Sequence, residues 1–493
     1  MANVVESGEG FEVIEEDGDL LYKVKQVSFS GDEKRFLKEV EDRAIRDLDV
    51  TPADVESAQE NKDALLNAIV KLVDDVAAIK GKAAAGVLTA EKKLGMAEQI
   101  ANNMLGYGAI QPLLNDDSLE EVMVIGTDVP VYVAHRKHGA LPSNVVFDSD
   151  EDIQRIIERI GRFSGRKIDM ANPLLDARLP DGSRVNATLK PASLDGSTIT
   201  IRKFQAEALT IVNILKWKTL SPEVAAFLWL AVDGMGVKPS NMIVSGGTGS
   251  GKTTTLNCLG LFIKKEDRVI TIEDTAELQL PFPHKIRLET KPPNPEGKGA
   301  LTFNELLINT LRMRPDRLIL GEVRGEEAAT LFVAMNTGHD GCFGTVHANN
   351  ADETISRLTN APMNVPIIMM PALQVIIMQN RISLGGKFVR RITEVAEVSG
   401  IEMDKVLLNR VYAHNPKTDV VESTGTPSKL IQDIAQKAGK TPKDVQLEMQ
   451  KRQIVLEYLM SKDLTKLEDV YTWVQDYYKN PDAILDKISK GAA

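Results

Sequence analysis

Apolar residues recur at three- and four-residue spacing in ALLNAIVKLVDDVAAI and EKKLGMAEQIANNML, which predicts helices from about residue 32 to 107. The period then changes. EEVMVIG, VPVYVAH and NVVFD are short β-rich runs punctuated by Gly and Pro, and they read as strands. EDIQRIIERIGRFSG returns to helical spacing; LLDARLPDGSRVNATL and STITIRKF then read as a hairpin and a further strand, closing an α/β domain near Phe204. AEALTIVNILKWKTL reads as a linker to Ser221, where SPEVAAFLWLAVDGM opens a helix with a serine cap and a first-turn proline. Beyond it, apolar runs of four to six residues (NMIVSG, RVITIED, DRLILGE, GCFGTVHA) alternate with helical segments, the pattern of a parallel sheet with flanking helices. From Ser428 the spacing is helical again and reads as a small polar bundle.

The expected organisation is a helical, acidic region at 1–107, an α/β domain at 108–205, a linker at 206–220, a P-loop domain at 221–427 and a helical tail at 428–493. A chain of 493 residues exceeds what one hydrophobic core serves, in keeping with several domains. Its net charge of -11 argues against nonspecific nucleic-acid binding over the whole surface. The two cysteines, Cys258 and Cys342, suit a reducing compartment, and with no CxxC pair a cysteine-ligated zinc module is excluded. The acidic N-terminus lacks a signal-peptide layout, and the longest apolar stretch, Val365 to Met378, is too short to span a bilayer. These features predict a cytoplasmic protein that reaches a membrane only through a partner.

GGTGSGKTTTLN carries the strongest chemistry. Gly246, Gly251, Lys252 and Thr253 satisfy G-x-x-x-x-G-K-[ST], with Gly247, Thr248, Gly249 and Ser250 between them, and the motif follows an apolar strand and opens a helix. Glycines let the backbone approach phosphates, and the helix start adds its positive end. Lys252 is expected on the β- and γ-phosphates of ATP and the Thr253 hydroxyl on Mg2+, with Thr254 a weaker neighbour.

Acids stand at the ends of the next two apolar strands: Glu273, Asp274 and Glu277 after RVITI, and Glu322 after DRLIL. Strand carboxyl ends face the ligand crevice of an open parallel sheet, so these acids can orient a water or serve the metal, which one doing which being open. Arg312, Arg314, Arg317 and Arg324 cluster around the second strand and suit either phosphate contacts or ion pairs. His347, at the tip of GCFGTVHA, stands where a phosphate sensor would.

Together these segments resemble the secretion ATPase superfamily, the motors of type II and type IV secretion, type IV pili and the archaellum. TIEDTAEL is similar to its Asp box, LILGEVRG to its atypical Walker B with glycine before Glu322, and HDGCFGTVHANN to its His box. The resemblance implies a RecA-like P-loop ATPase core with a separate N-terminal α/β domain and a helical C-terminal tail, working as a homo-hexamer with a polytopic membrane platform protein. It also implies arginines of the N-terminal domain reaching nucleotide, carried here to Arg178, Arg184 and Arg202. As site residues it implies Glu322, Glu277, Lys252 and His347 in catalysis, and Thr253, Glu322 and Glu273 around the metal. AMNTGHDG and RLTNAPMNVP are similar to the archaeal branch, whereas ELQLP resembles tight-adherence pilus ATPases. A RecA-like nucleic-acid translocase is the rival; it requires a basic, aromatic-bearing channel, against which stand the acidic average and 5% aromatic content. A nucleotide-binding scaffold without hydrolysis is the third reading.

Overall fold

Asp17 and Gly18 both take positive φ (54° and 93°), the conformation a two-residue hairpin turn needs, and they reverse the chain between two strands. In the computed structural model, which describes residues 3–8, 10–25, 27, 29–48, 58–80, 88–204, 208–293, 297–385 and 387–491, the acidic N-terminus is therefore not helical. It is a meander of β1 (Asn3–Gly8), β2 (Phe11–Glu16) and β3 (Asp19–Val24), with Val13, Ile14, Tyr22 and Val24 turned into a core. The expectation of a helical region from residue 1 is corrected to that extent.

The chain divides into two compact units, Met1–Ala206 and Glu207–Ala493. In the first, three helices, α1 (Gly31–Asp47), α2 (Ala58–Lys80) and α3 (Ala90–Leu105), bury a core of their own around Val40, Val73, Met96 and Ile100. A short α4 (Gln111–Asn115) leads to β4 (Leu119–Val124), β5 (Pro130–His135) and β6 (Gly139–Val146), then α5 (Asp150–Phe163), β7 (Leu174–Arg178), β8 (Arg184–Thr188) and β9 (Thr198–Arg202). One sheet in the order β1-β2-β3-β6-β5-β4-β9-β8-β7 results. Isoleucines 153, 156, 157 and 160 put one stripe of α5 into its core.

The second unit begins with α6 (Ile211–Lys216) and α7 (Pro222–Asp233). The segment 206–220 was expected to be a linker. From 211 it is part of the unit instead, because Ile211, Val212, Ile214 and Leu215 are buried in the main core; residues 205–207 lie outside the described residues. Next come β10 (Met242–Ser245), α8 (Lys252–Gly260), β11 (Val269–Glu273), β12 (Lys285–Glu289), α9 (Phe303–Thr310), β13 (Arg317–Leu320), α10 (Glu327–Asn336), β14 (Phe343–Val346) and α11 (Ala351–Thr359). An antiparallel ribbon of β15 (Val375–Leu384), β16 (Lys387–Glu402), β17 (Lys405–Asn415) and β18 (Val420–Ser423) completes a sheet ordered β12-β11-β13-β14-β10-β15-β16-β17-β18. From β12 to β15 all neighbours are parallel, and β14 lies between β10 and β13. The core strands are buried at every position, as parallel strands covered on both faces must be. Ser245 lies level with Val346 and Met378, so Gly246 and His347 leave the sheet side by side next to Gln379, which stays in β15.

Four helices end the chain: α12 (Lys429–Ala438), α13 (Pro442–Ser461), α14 (Leu467–Lys479) and α15 (Pro481–Gly491). They are not a separate polar bundle. Val445, Leu456, Val474 and Tyr477 belong to the same core as α7, whose Trp229 stacks on Phe262 at 5.0 Å and donates from Nε1 to the Tyr478 hydroxyl at 2.7 Å. Arg452 crosses the same interior and holds Asp233 with two hydrogen bonds, 2.5 and 3.2 Å, both residues almost wholly buried. Apolar faces on both sides of this pair make the tail a layer of the unit.

Deleting one partner of such a pair strands the other charge in the interior. Arg452→Leu is expected to lower unfolding stability by about 3–5 kcal/mol, measured by urea denaturation, with partial recovery in the double variant carrying Asp233→Asn. A loss below about 1 kcal/mol would show that solvent screens the pair.

Candidate active site

The P-loop begins where β10 stops. A Cβ on Gly246 would lie 2.0 Å from the carbonyl oxygen of Gln379 and 2.6 Å from the Ser250 hydroxyl, so only glycine fits there. Gly249 and Gly251 take φ of +70° and +95° and curl the loop into the start of α8. The first bond inside that helix runs from the Thr255 amide to the Gly251 carbonyl, leaving the Lys252, Thr253 and Thr254 amides without a helical acceptor. The loop is a cradle of donors.

Lys252 is 8% exposed, and its ammonium donates to the carbonyls of Gly246 and Gly247, each at 3.0 Å. Burial pushes its pKa down, and the charge of Glu322 pulls it back up. The same nitrogen lies 3.4 Å from His347 Nδ1, while His347 Nε2 lies 3.4 Å from a Glu322 oxygen. An ammonium can only donate, so Nδ1 faces it as a lone pair and the proton of the neutral ring sits on Nε2, on the side of the ring nearer Glu322. Burial, then the neighbouring Lys252 charge, lowers the His347 pKa, against the opposing pull of Glu322. A line Lys252–His347–Glu322 thus runs across the ends of β10, β14 and β13.

Gly321 has a steric reason. A Cβ there would come within 3.0 Å of Glu273 Cγ, so the glycine before Glu322 leaves room for the side chain from β11. Glu273 Oε1 accepts the amides of Glu277 and Leu278, both at 2.9 Å, and Oε2 is buried without a hydrogen-bond partner among the described residues. It anchors the turn that presents Glu277. Asp274 accepts from the Thr290 hydroxyl at 2.8 Å and pairs with Arg324, whose guanidinium is also 3.8 Å from Glu322. Asn257 of α8 accepts the Gln279 amide at 2.9 Å, joining the phosphate helix to this acidic turn.

Of the expected residues, Gly247, Thr253 and Thr254 are half-buried, Thr248 and Gly249 exposed, and Ser250 buried with its hydroxyl unpartnered among the described residues. The arginine cluster around β13 splits. Arg324 joins the site, Arg317 is buried at the opposite end of β13 against Asp267, and Arg312 and Arg314 are exposed. In the first unit, Arg178, Arg184 and Arg202 stand abreast on three strands, Arg178 opposite Arg184 and Arg184 opposite Arg202. Two residues near the loop were missed. Gln379 accepts from the Thr255 hydroxyl at 2.5 Å, and Arg390 Nε donates to the Gly249 carbonyl at 3.0 Å. A glutamine ending the apolar run VIIMQ was the available signal for the first.

Away from the loop, Glu6, His135 and His138 bring three ligand-capable atoms within 4.8 Å of one another. There His135 Nδ1 already accepts the amide of Lys137, and Glu6 is paired with Lys137 and His138. Among the described residues no helix is long and apolar enough to cross a membrane.

A strand inserted between the P-loop strand and the strand bearing the acid, with glutamate and histidine at neighbouring carboxyl ends, defines a RecA-like P-loop core. A family model described as type II/IV secretion system protein matches residues 103–468, and the chain belongs to that family of ATPases. The uncharacterized protein MJ0781 of Methanocaldococcus jannaschii is 33% identical over 77% of this chain and 76% of its own length. A putative conjugal transfer protein of Mycobacterium tuberculosis is 34% identical over 54% of this chain and 77% of its own. The VirB11 ATPase of the Brucella suis type IV secretion system, solved with sulphate, is 26% identical over 58% of this chain and 91% of that one, with a TM-score of 0.30.

Burial raises the Glu273 carboxyl from 4.5 to about 7. The unfolded chain therefore releases this proton between pH 4.5 and about 7 while the folded one keeps it, so stability falls as pH rises through that window and levels off above it. The loss is on the order of 3 kcal/mol at most. Glu273→Gln is expected to flatten that part of the profile in urea unfolding at pH 5 to 8; equal slopes in both proteins would show that Glu273 is ionised throughout.

Proposed function

We propose that this protein is an ATP-hydrolysing motor, a cytoplasmic homo-hexamer that powers a type IV pilus-like or archaellum-like filament, or related secretion, through a membrane platform protein. The observation that carries the ATPase reading is the buried Lys252 ammonium, resting on the loop's own carbonyls and linked through His347 to Glu322. The donor set fits a polyphosphate: three helix-start amides, a buried unpartnered Ser250 hydroxyl and a desolvated lysine. The membership of a secretion family and the conjugal-transfer relative support the machine.

The loop amides of Gly247 to Thr253 cradle the phosphates, and Lys252 exchanges its loop carbonyls for phosphate oxygens. The Thr253 hydroxyl and Glu322 would hold magnesium, which would supply charge neutralisation there. Glu322 and Glu277 orient the attacking water, and Glu273 acts by fixing the turn that carries Glu277. His347 holds its proton on Nε2, aligns Glu322 and senses the departure of Lys252 from Nδ1. Arg178, Arg184 and Arg202 supply further positive charge to a nucleotide, across a subunit boundary in the ring.

Lys252→Ala is expected to abolish phosphate release, a loss of at least ~100-fold, with the circular-dichroism spectrum unchanged; unaltered turnover would sink the site assignment. Where sites are shared between subunits, mixing Arg184→Ala with Lys252→Ala protein restores part of the activity, because some interfaces then carry both native residues. No rescue at any ratio would place Arg184 outside the neighbour's site.

A further inference from the structure

The ribbon beside the P-loop carries two arginines with no acidic partner among the described residues. Arg381 on β15 stands directly opposite Arg390 on β16, and Gln379, two residues earlier on β15, reaches Thr255 of the phosphate helix. Residues two apart on a strand, and residues directly opposite across a ladder, share a face. Both arginines therefore lie on the face that carries the P-loop helix.

Their neighbours are satisfied and they are not. Arg391 is buried, with a bidentate bond to Asp419 at 2.9 and 2.8 Å. Arg390 is exposed; its Nε donates to the Gly249 carbonyl, its stem passes 3.4 Å from a Cβ built on Gly251, and no carboxylate among the described residues pairs with it. Arg381 likewise has no acidic partner among the described residues, and its guanidinium is propped over the Phe388 ring at 4.2 Å. Two like charges in direct register destabilise a ribbon unless an anion joins them. The anion expected here is the one the loop is built for. Lys252 occupies the buried inner end of the loop, whereas Arg390 braces its outer turn at Gly249, which gives the arginine pair the solvent-side end of a nucleotide's phosphate chain.

We propose that Arg381 and Arg390 form the outer wall of the nucleotide site and bind the α-phosphate of ATP and ADP, Arg390 anchored on Gly249 and Arg381 held in place by Phe388. This rests on the P-loop being a nucleotide site. Guanidinium forks suit a phosphate bridging two side chains. Because both nucleotides carry the α-phosphate, the pair sets the affinity for product as much as for substrate.

Binding of ADP and of ATP, measured by calorimetry on the full chain with magnesium, tests this. Arg381→Gln and Arg390→Gln are each expected to weaken both nucleotides about ten-fold or more and by similar factors, while Arg390→Lys stays within about three-fold of the native chain. Among the described residues Arg381 makes no hydrogen bond to the P-loop and rests on Phe388 instead, so a loop-bracing role would not produce its effect. If Arg381→Gln binds normally, or if Arg390→Lys is as impaired as Arg390→Gln, the charge pair is overturned and Arg390 is a brace. If ATP weakens but ADP does not, the α-phosphate assignment is overturned. Should Arg381→Gln fail to fold, Arg381→Met keeps the stem over Phe388 without the charge and is held to the same criterion. Lys252→Ala runs alongside: native-like nucleotide binding in that variant would remove the P-loop reading itself, a result distinct from failure of the arginine pair alone.

Discussion

Gly246, at the end of β10, lies so close to the Gln379 carbonyl of β15 that no side chain fits between them, and the rest of the site depends on that approach. Beside that approach Gln379 accepts from Thr255 of the phosphate helix, and the loop turns through the positive φ of Gly249 and Gly251. Parallel register does the remainder. It brings Gly246, His347 and Gln379 to one edge and sets Glu322 beside them at the end of β13. No long-range rearrangement is needed for these groups to meet, because the sheet has already ordered them.

That edge is also a low-dielectric place for charge. A lysine with its ammonium buried ordinarily tends to lose its proton, yet Lys252 is compensated by two carbonyls and by the field of Glu322. The imidazole between them can take only one tautomer, since its Nδ1 faces a donor and its Nε2 an acceptor. The three side chains therefore form a polarised line whose two ends respond to each other. Beneath it, Glu273 keeps one oxygen on the Asp-box amides and buries the other, so the acidic turn is held by a group that resists ionisation.

Legibility in the sequence tracked distance along the chain. The P-loop, the acids after the next two strands and His347 were readable because each motif is local and sits at a strand end. The parallel-sheet domain was readable because its strands are unbroken apolar runs. What failed was non-local. Arg390 meets Gly249 across 141 positions and Arg452 meets Asp233 across 219, separations at which one sequence carries no pairing signal. The tail looked polar because only one face of each helix is apolar, and the buried partner of that face, α7, lies far upstream. The stretch at 206–220 looked like a linker because α6 is a single short helix, although its apolar residues are all interior. The amino-terminal meander is the exception: Asp17–Gly18 between alternating residues was a local hairpin signal, masked by the many glutamates around it. Cross-strand register, which sets Arg178, Arg184 and Arg202 abreast, became visible only with the sheet.

The way the chain enters the second unit bears on stiffness. Thr210 donates its hydroxyl to the Thr465 carbonyl at 3.1 Å, Lys216 pairs with Asp463, and the four apolar residues between them are interior. The incoming strand of polypeptide is thus clamped at two points to the loop joining α13 and α14. A pull applied upstream of residue 208 is delivered into those terminal helices and, through Arg452 and Asp233, into α7, in place of being absorbed by bending. The terminal helices are thereby joined to the point where the chain enters the unit as well as to α7.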